Sequence, residues 1–171
     1  MSNQTKFENS ECKVGGKGLD VISLPVSLSE LPTQIEIRGN ILKLKDKFHI
    51  SLVCISVIAK KYNIQIDNFL DKTINDFSDF VKTNKVELLH YNDDFKFVEE
   101  NELKTVVVTC EVSNINKFMD LINKKYKINV GYPPTHVTLY TLNGLGIYLI
   151  NEDDIKNLTT SIENPVGREL K

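Results

Sequence analysis

One short pattern occurs twice in this chain and constrains what it can fold into. It reads Phe48-His49-Ile50-Ser51-Leu52 and then Thr135-His136-Val137-Thr138-Leu139. Each copy sets a histidine, an apolar residue, a hydroxyl residue and an apolar residue inside a β-rich run, and the chain has only three histidines. In a strand, successive side chains point to opposite faces. His49 and Ser51 therefore share one face and Ile50 and Leu52 the other, and the second copy divides in the same way. The apolar pairs anchor the two strands in a core. If the strands lie side by side, two imidazoles and two hydroxyls converge on one cleft.

The rest of the pattern predicts a mixed α+β chain. Val21 to Leu28 is β-rich but interrupted by Pro25, the mark of an edge or a bend. Ile35 to Arg38 alternates up to the turn signal Gly39-Asn40, and Ile41 to Lys45 follows. The run from Phe48 begins as strand, with helix taking over near Ser56 to Tyr62. Helical spacing places Phe69, Leu70, Ile74, Phe77 and Val81 on one face, and Phe118, Leu121, Ile122 and Tyr126 on another, with Asn114 as N-cap. Between them lie the strand candidates Val86–Tyr91, Lys96–Glu99 and Thr105–Val112. Strands Thr135–Leu142 and Gly146–Ile150 and a helix from Asn151 to about Thr160 complete the chain. Residues 1–18 are polar, end in Gly15-Gly16-Lys17-Gly18 and read as a flexible leader, with 19–171 as one domain or two small lobes sharing one core. Gly18 after Lys17 breaks the G-K-[ST] of a phosphate-binding loop.

Composition narrows the function. With 41% apolar and 26% charged residues the chain is ordinary globular material. A net charge of -2 disfavours a duplex-DNA binder. No apolar run approaches the roughly 20 residues that span a bilayer, and Met1 to Asn9 lacks a signal-peptide stretch. Three cysteines without metal spacing argue against a disulfide framework or a Cys-ligated zinc, and fit a reducing cytoplasm.

Two imidazoles and two hydroxyls suit phosphodiester cleavage without a metal or cofactor. A neutral imidazole takes the proton of the attacking oxygen while an imidazolium protonates the leaving oxygen. The hydroxyls hold the non-bridging phosphate oxygens. The residues two beyond each histidine are hydroxyls, and no third clustered ligand completes a zinc site.

At His49-Ile50-Ser51-Leu52 and His136-Val137-Thr138-Leu139 the chain resembles the 2H phosphoesterases. Their members include bacterial RNA 2′,5′-ligase-like proteins, cyclic phosphodiesterases, and viral and phage phosphodiesterases acting on 2′,5′-linked or cyclic oligonucleotides. The resemblance covers about Ile35 to Leu158. It implies a bilobal α+β fold, with two antiparallel sheets in pseudo-two-fold relation around a central cleft and helices outside. It also implies His49 and His136 as the catalytic acid/base pair and Ser51 and Thr138 as phosphate-binding hydroxyls. The substrate would be a nucleotide, a cyclic nucleotide or a short RNA, met in the cytoplasm, or in the host's if the chain is viral. Val53-Cys54-Ile55 after the first motif, and Tyr140 where the ligase-like branch places Arg, argue against that branch. The alternative from another class is a module that holds a phosphate in the same cleft without cutting it.

Neighbours of the motifs extend the candidate site. Tyr140 shares parity with His136 and Thr138, which leaves it either stacking on a base or packing at a lobe edge. Tyr132, before Pro133-Pro134, is either an overhang of the cleft or packing. Lys43, Lys45 and Lys47 share parity with His49; an unbroken strand would bring Lys47 to the substrate, whereas a turn at Asp46 makes all three a solvated edge.

Overall fold

Period-two alternation and tight turns build most of what residues 4–171 form, the part that the computed structural model describes. Along the chain run β1 (Thr5–Lys6), β2 (Lys13–Gly15), β3 (Val21–Val26), β4 (Gln34–Ile37), β5 (Asn40–Leu44), β6 (Phe48–Cys54), α1 (Ile55–Lys61) and α2 (Phe69–Phe80). Then follow β7 (Leu88–Glu100), β8 (Leu103–Val112), α3 (Ile115–Tyr126), β9 (His136–Thr141), α4 (Glu152–Leu158) and β10 (Thr159–Ile162). The chain is thus α+β, with a large antiparallel sheet. Its strands pair in the order β1-β2-β3-β6-β9-β8-β7-β10, and the β4–β5 hairpin joins β9 through β5. The strands form one connected ladder where two sheets were expected. No helix among the described residues is long and apolar enough to cross a membrane.

Contacts divide the chain into two units. The first holds the N-terminal residues to Pro25, Ser51–Leu88 and Val112–Pro133. Its core is aromatic. Phe77 of α2 is wholly buried and meets Phe118 of α3 edge-on, with centroids 4.9 Å apart, and Phe7 at 5.0 Å. The expected flexible leader is therefore a correction, save residues 1–3, which lie outside the described residues. From β1 onward the segment pairs with β2 and β2 with β3, and Phe7, Cys12 and Val14 are buried. Polar composition concealed this because only those three side chains do the anchoring. All three cysteines are free and buried. Asn114 does stand at the start of α3, but its side chain does not cap the helix; the amide donates to the Lys85 carbonyl at 2.7 Å.

The second unit holds Val26–Ile50, Leu89–Glu111 and Pro134–Lys171. Its β4–β5 hairpin closes through Arg38-Gly39, both at positive φ, the turn that matches the right-handed twist of strands. β5 ends at Leu44 and the chain bends before β6, so the strand that would have carried three lysines in line is broken. Asn92-Asp93-Asp94 reads as a strand end, yet β7 runs through it. Asn92 donates to the Thr109 hydroxyl, which donates to Asp94, and these cross-strand bonds keep β7 on β8. Gly146–Ile150 alternates as expected but forms no strand. Ile147 and Leu149 pack instead onto Val98 and Val107, together with Ile155 and Leu158 of α4, so side chains bury without backbone pairing. Asn151 caps α4 by accepting from the Asp154 amide at 3.1 Å.

The docked N-terminus yields a direct check. Replacing Phe7 by Ala removes a ring packed on Phe77 and should lower unfolding free energy by about 3 kcal/mol in a denaturant titration. A free leader would give no change.

Candidate active site

Strand register assembles the site from the two motifs. Ile50 of β6 and Val137 of β9 are antiparallel partners, and both are wholly buried. Opposed residues share a face, so their neighbours in the second unit, His49 and Thr138, oppose each other on the other face. His136 lies diagonal to His49 on that same face, a separation of about 7–8 Å between backbones. On the far side of β9, Thr109 of β8 pairs with His136 and Val107 with Thr138, which carries the same face onward.

The two imidazoles have different surroundings. His136 is only 7% exposed. Its Nδ1 lies 2.6 Å from the Pro134 carbonyl oxygen. In the neutral ring the proton belongs on Nδ1 to make that bond, which leaves Nε2 with its lone pair. Burial lowers the His136 pKa below the usual imidazole value, and the Pro134 carbonyl offsets this in part. His49 keeps more of its surface in solvent, yet its pKa is lowered too. Desolvation contributes most, followed by the positive charge of Lys45 and that of His136. That His49 feels the charge of His136 agrees with their diagonal placement.

The other expected residues divide. Thr138 is half-buried on the imidazole face of β9. Ser51, two residues beyond His49 on β6, belongs to the first unit, where it is partly buried and hydrogen-bonds the Cys54 thiol. That thiol is pushed up to about 12, chiefly by burial. Tyr140 is 0% exposed, and its hydroxyl donates to the Pro32 carbonyl at 2.9 Å. Tyr140 leaves the imidazole face because β9 carries a bulge: Thr138 pairs with Val107 but Tyr140 with Val106, leaving Leu139 extra. Tyr132 is half-exposed in the first unit, its hydroxyl donating to Asp120 at 2.8 Å. Lys47 is exposed in the bend before β6. Lys45 is the lysine whose charge reaches His49; its backbone N–H donates to the Leu139 carbonyl at 2.9 Å. Both its parity with His49 and the turn at Asp46 are legible in the sequence; that Lys45 rather than Lys47 faces the histidine is not.

Among the described residues no three His, Cys, Asp or Glu side chains gather as ligands for a metal ion. A groove of about 650 Å³ is lined by residues of the first unit alone, including Asp76, Phe80, Leu121 and Lys125, and contains none of the motif residues.

Burial of His136 has a consequence for stability. The unfolded chain titrates its histidines near 6.5 and the folded His136 below that, so between the two values the unfolded state holds a proton that the native state lacks. Stability from this residue is fully present above about pH 6.5 and is lost as the pH falls toward the folded value. Unfolding free energy should decline below pH 6.5 with a slope of at most about 1.4 kcal/mol per pH unit from this residue. His136→Gln should flatten that decline, as read by denaturant titration from pH 7.5 to 5. A scan against protein-family models matched none, and searches of curated proteins and of solved structures found no match.

Proposed function

We propose that the chain is a metal-independent phosphodiesterase of the 2H type, acting on a nucleotide or on a short or cyclic oligonucleotide. The observation that carries this reading is the β6–β9 register, which puts His49 and His136 diagonal to each other on one face, with Thr138 opposite His49. In this reading β6 and β9 are the matched strands of a bilobal, pseudo-two-fold fold.

His136 is the base. Its Nδ1 is committed to Pro134 and its burial favours the neutral ring, so Nε2 accepts the proton of the attacking hydroxyl or water. As the new P–O bond forms, His49, in contact with solvent and reprotonated from it, gives its proton to the leaving oxygen as the old P–O bond breaks. Thr138 donates to a non-bridging oxygen, and Lys45 offsets charge that builds on the phosphorane. Bound phosphate raises both histidine pKa values, because a dianion or monoanion favours imidazolium.

The direct experiment incubates the protein with 2′,3′- and 3′,5′-cyclic nucleotides and with 2′,5′- and 3′,5′-linked oligonucleotides, with products read by mass. Turnover of at least one class in excess EDTA is expected. His49→Ala and His136→Ala should each lower the rate by 10²–10⁴-fold, typical for removal of a general acid or base. The double variant should fall short of the product of the two losses. Thr138→Ala should cost about ten- to a hundredfold in kcat/KM, and Thr138→Ser little. Because both imidazoles are lowered in the free protein, kcat/KM should be bell-shaped with its maximum on the acid side of about pH 6.5. Phosphate binding without cleavage of any substrate would overturn the catalytic reading and leave a binding module.

A further inference from the structure

The imidazole face of the sheet continues past β9 as a chain of polar side chains, all within the second unit. Thr109 is the register partner of His136. Its hydroxyl accepts from the Asn92 amide at 3.1 Å and donates to Asp94 Oδ2 at 3.1 Å. Lys96 donates to Asp94 Oδ1 at 3.2 Å and to the Ser161 hydroxyl at 3.2 Å across the β7–β10 pair. Phe95 and Phe97 alternate with Asp94 and Lys96 and are buried on the other face, which fixes the polar pair on this one. Toward the turn ends of β7 and β8 the same face is closed by Ile147 and Leu149 over Val98 and Val107, so the polar chain borders a wall.

The interactions leave a defined pattern of unused valence. A carboxylate has about four acceptor positions, two on each oxygen. Lys96 takes one on Oδ1 and Thr109 one on Oδ2, so each oxygen retains one. The Asp94 side chain keeps 42% of its surface in solvent, so those positions are reachable. Lys96 has three N–H donors, of which Asp94 and Ser161 use two. Its side chain is only 15% exposed, so the ammonium is held rather than free to sweep the surface. The free set is therefore two parallel acceptors with one donor beside them. A second phosphate would face the Asp94 carboxylate and be repelled. Two adjacent N–H groups followed by a carbonyl oxygen match the set, and among the four bases only guanine carries that order, in its N2, N1 and O6 edge. The strands β9, β8 and β7 are spaced about 4.8 Å apart, which puts Asp94 some two strands from His136, the reach of one nucleoside whose phosphate lies between the imidazoles.

We infer that Asp94 and Lys96, braced by Thr109, Asn92 and Ser161, form a base-reading subsite for guanine next to the phosphate position. The inference rests on the proposed phosphodiesterase reading for the location of that phosphate.

The test measures equilibrium binding of inorganic phosphate and of guanosine, adenosine, cytidine and uridine 3′-monophosphates by calorimetry, on the full chain. The unmodified protein should bind the guanosine nucleotide about tenfold or more tighter than each of the other three, the discrimination expected of a bidentate base contact. Asp94→Asn presents a donor in place of an acceptor and should bring the four nucleotides to near parity while leaving the affinity for inorganic phosphate unchanged. Lys96→Met, which keeps the buried stem, should weaken the preference with phosphate binding again unchanged. Equal affinity for the four nucleotides in the unmodified protein would overturn the subsite and leave the histidine site standing, and this result needs no variant to fold. A preference untouched by Asp94→Asn would likewise overturn it. Failure to bind both phosphate and nucleotides would overturn the subsite together with the reading on which it rests.

Discussion

The pairing of Ile50 with Val137 decides which side chains the centre of the sheet offers to a ligand. Both side chains are wholly buried, and each contributes roughly 1.5–3 kcal/mol by leaving water. A slip of one residue in β6 would turn His49 into the core and expose Ile50 and Leu52, because strand side chains repeat with period two. The same burial that holds the sheet together therefore holds the imidazoles on one face. Packing and chemistry are linked through one register.

From that constraint the electrostatics follow. His136 enters the fold at a cost, since its charged form loses water and gains only a carbonyl on Nδ1. The neutral ring with a free Nε2 is what remains, and it is the form a base requires. His49 stands closer to solvent but beside Lys45 and His136, so an additional proton is disfavoured by like charge. In the proposed phosphodiesterase reading an arriving phosphate would reverse both effects, and the positive charge on Lys45 would change from an obstacle to an attraction. In that reading the surroundings of both imidazoles disfavour a proton until an anion is present.

Sequence reading recovered what local periodicity controls. The motif strands β6 and β9, the change from β6 to α1, the apolar faces of α2 and α3 and the β4–β5 turn all follow from alternation, helical spacing and Gly39 at positive φ. It failed where one long-range contact outweighs local character. The N-terminal segment is polar in composition, yet Phe7 against Phe77 and the buried Cys12 tie it down. Asn92-Asp93-Asp94 is turn-like, yet bonds to Thr109 keep it in β7. Tyr140 keeps strict parity in sequence, and a single extra residue at Leu139 cancels it. The histidines were legible because the bulge falls after Thr138; before it, period two holds. The polar chain from Asn92 to Lys96 left no comparable signal, since its members become neighbours of the motif only through β8.

In the proposed function His49 and His136 face one phosphate together. The measurement that tests this most directly is an NMR titration of the assigned imidazole resonances against pH, with and without inorganic phosphate. Without phosphate both histidines should titrate below about 6.5, the unperturbed value. With saturating phosphate both should move upward together. An upward shift at only one of the pair, or at neither, would contradict a shared phosphate.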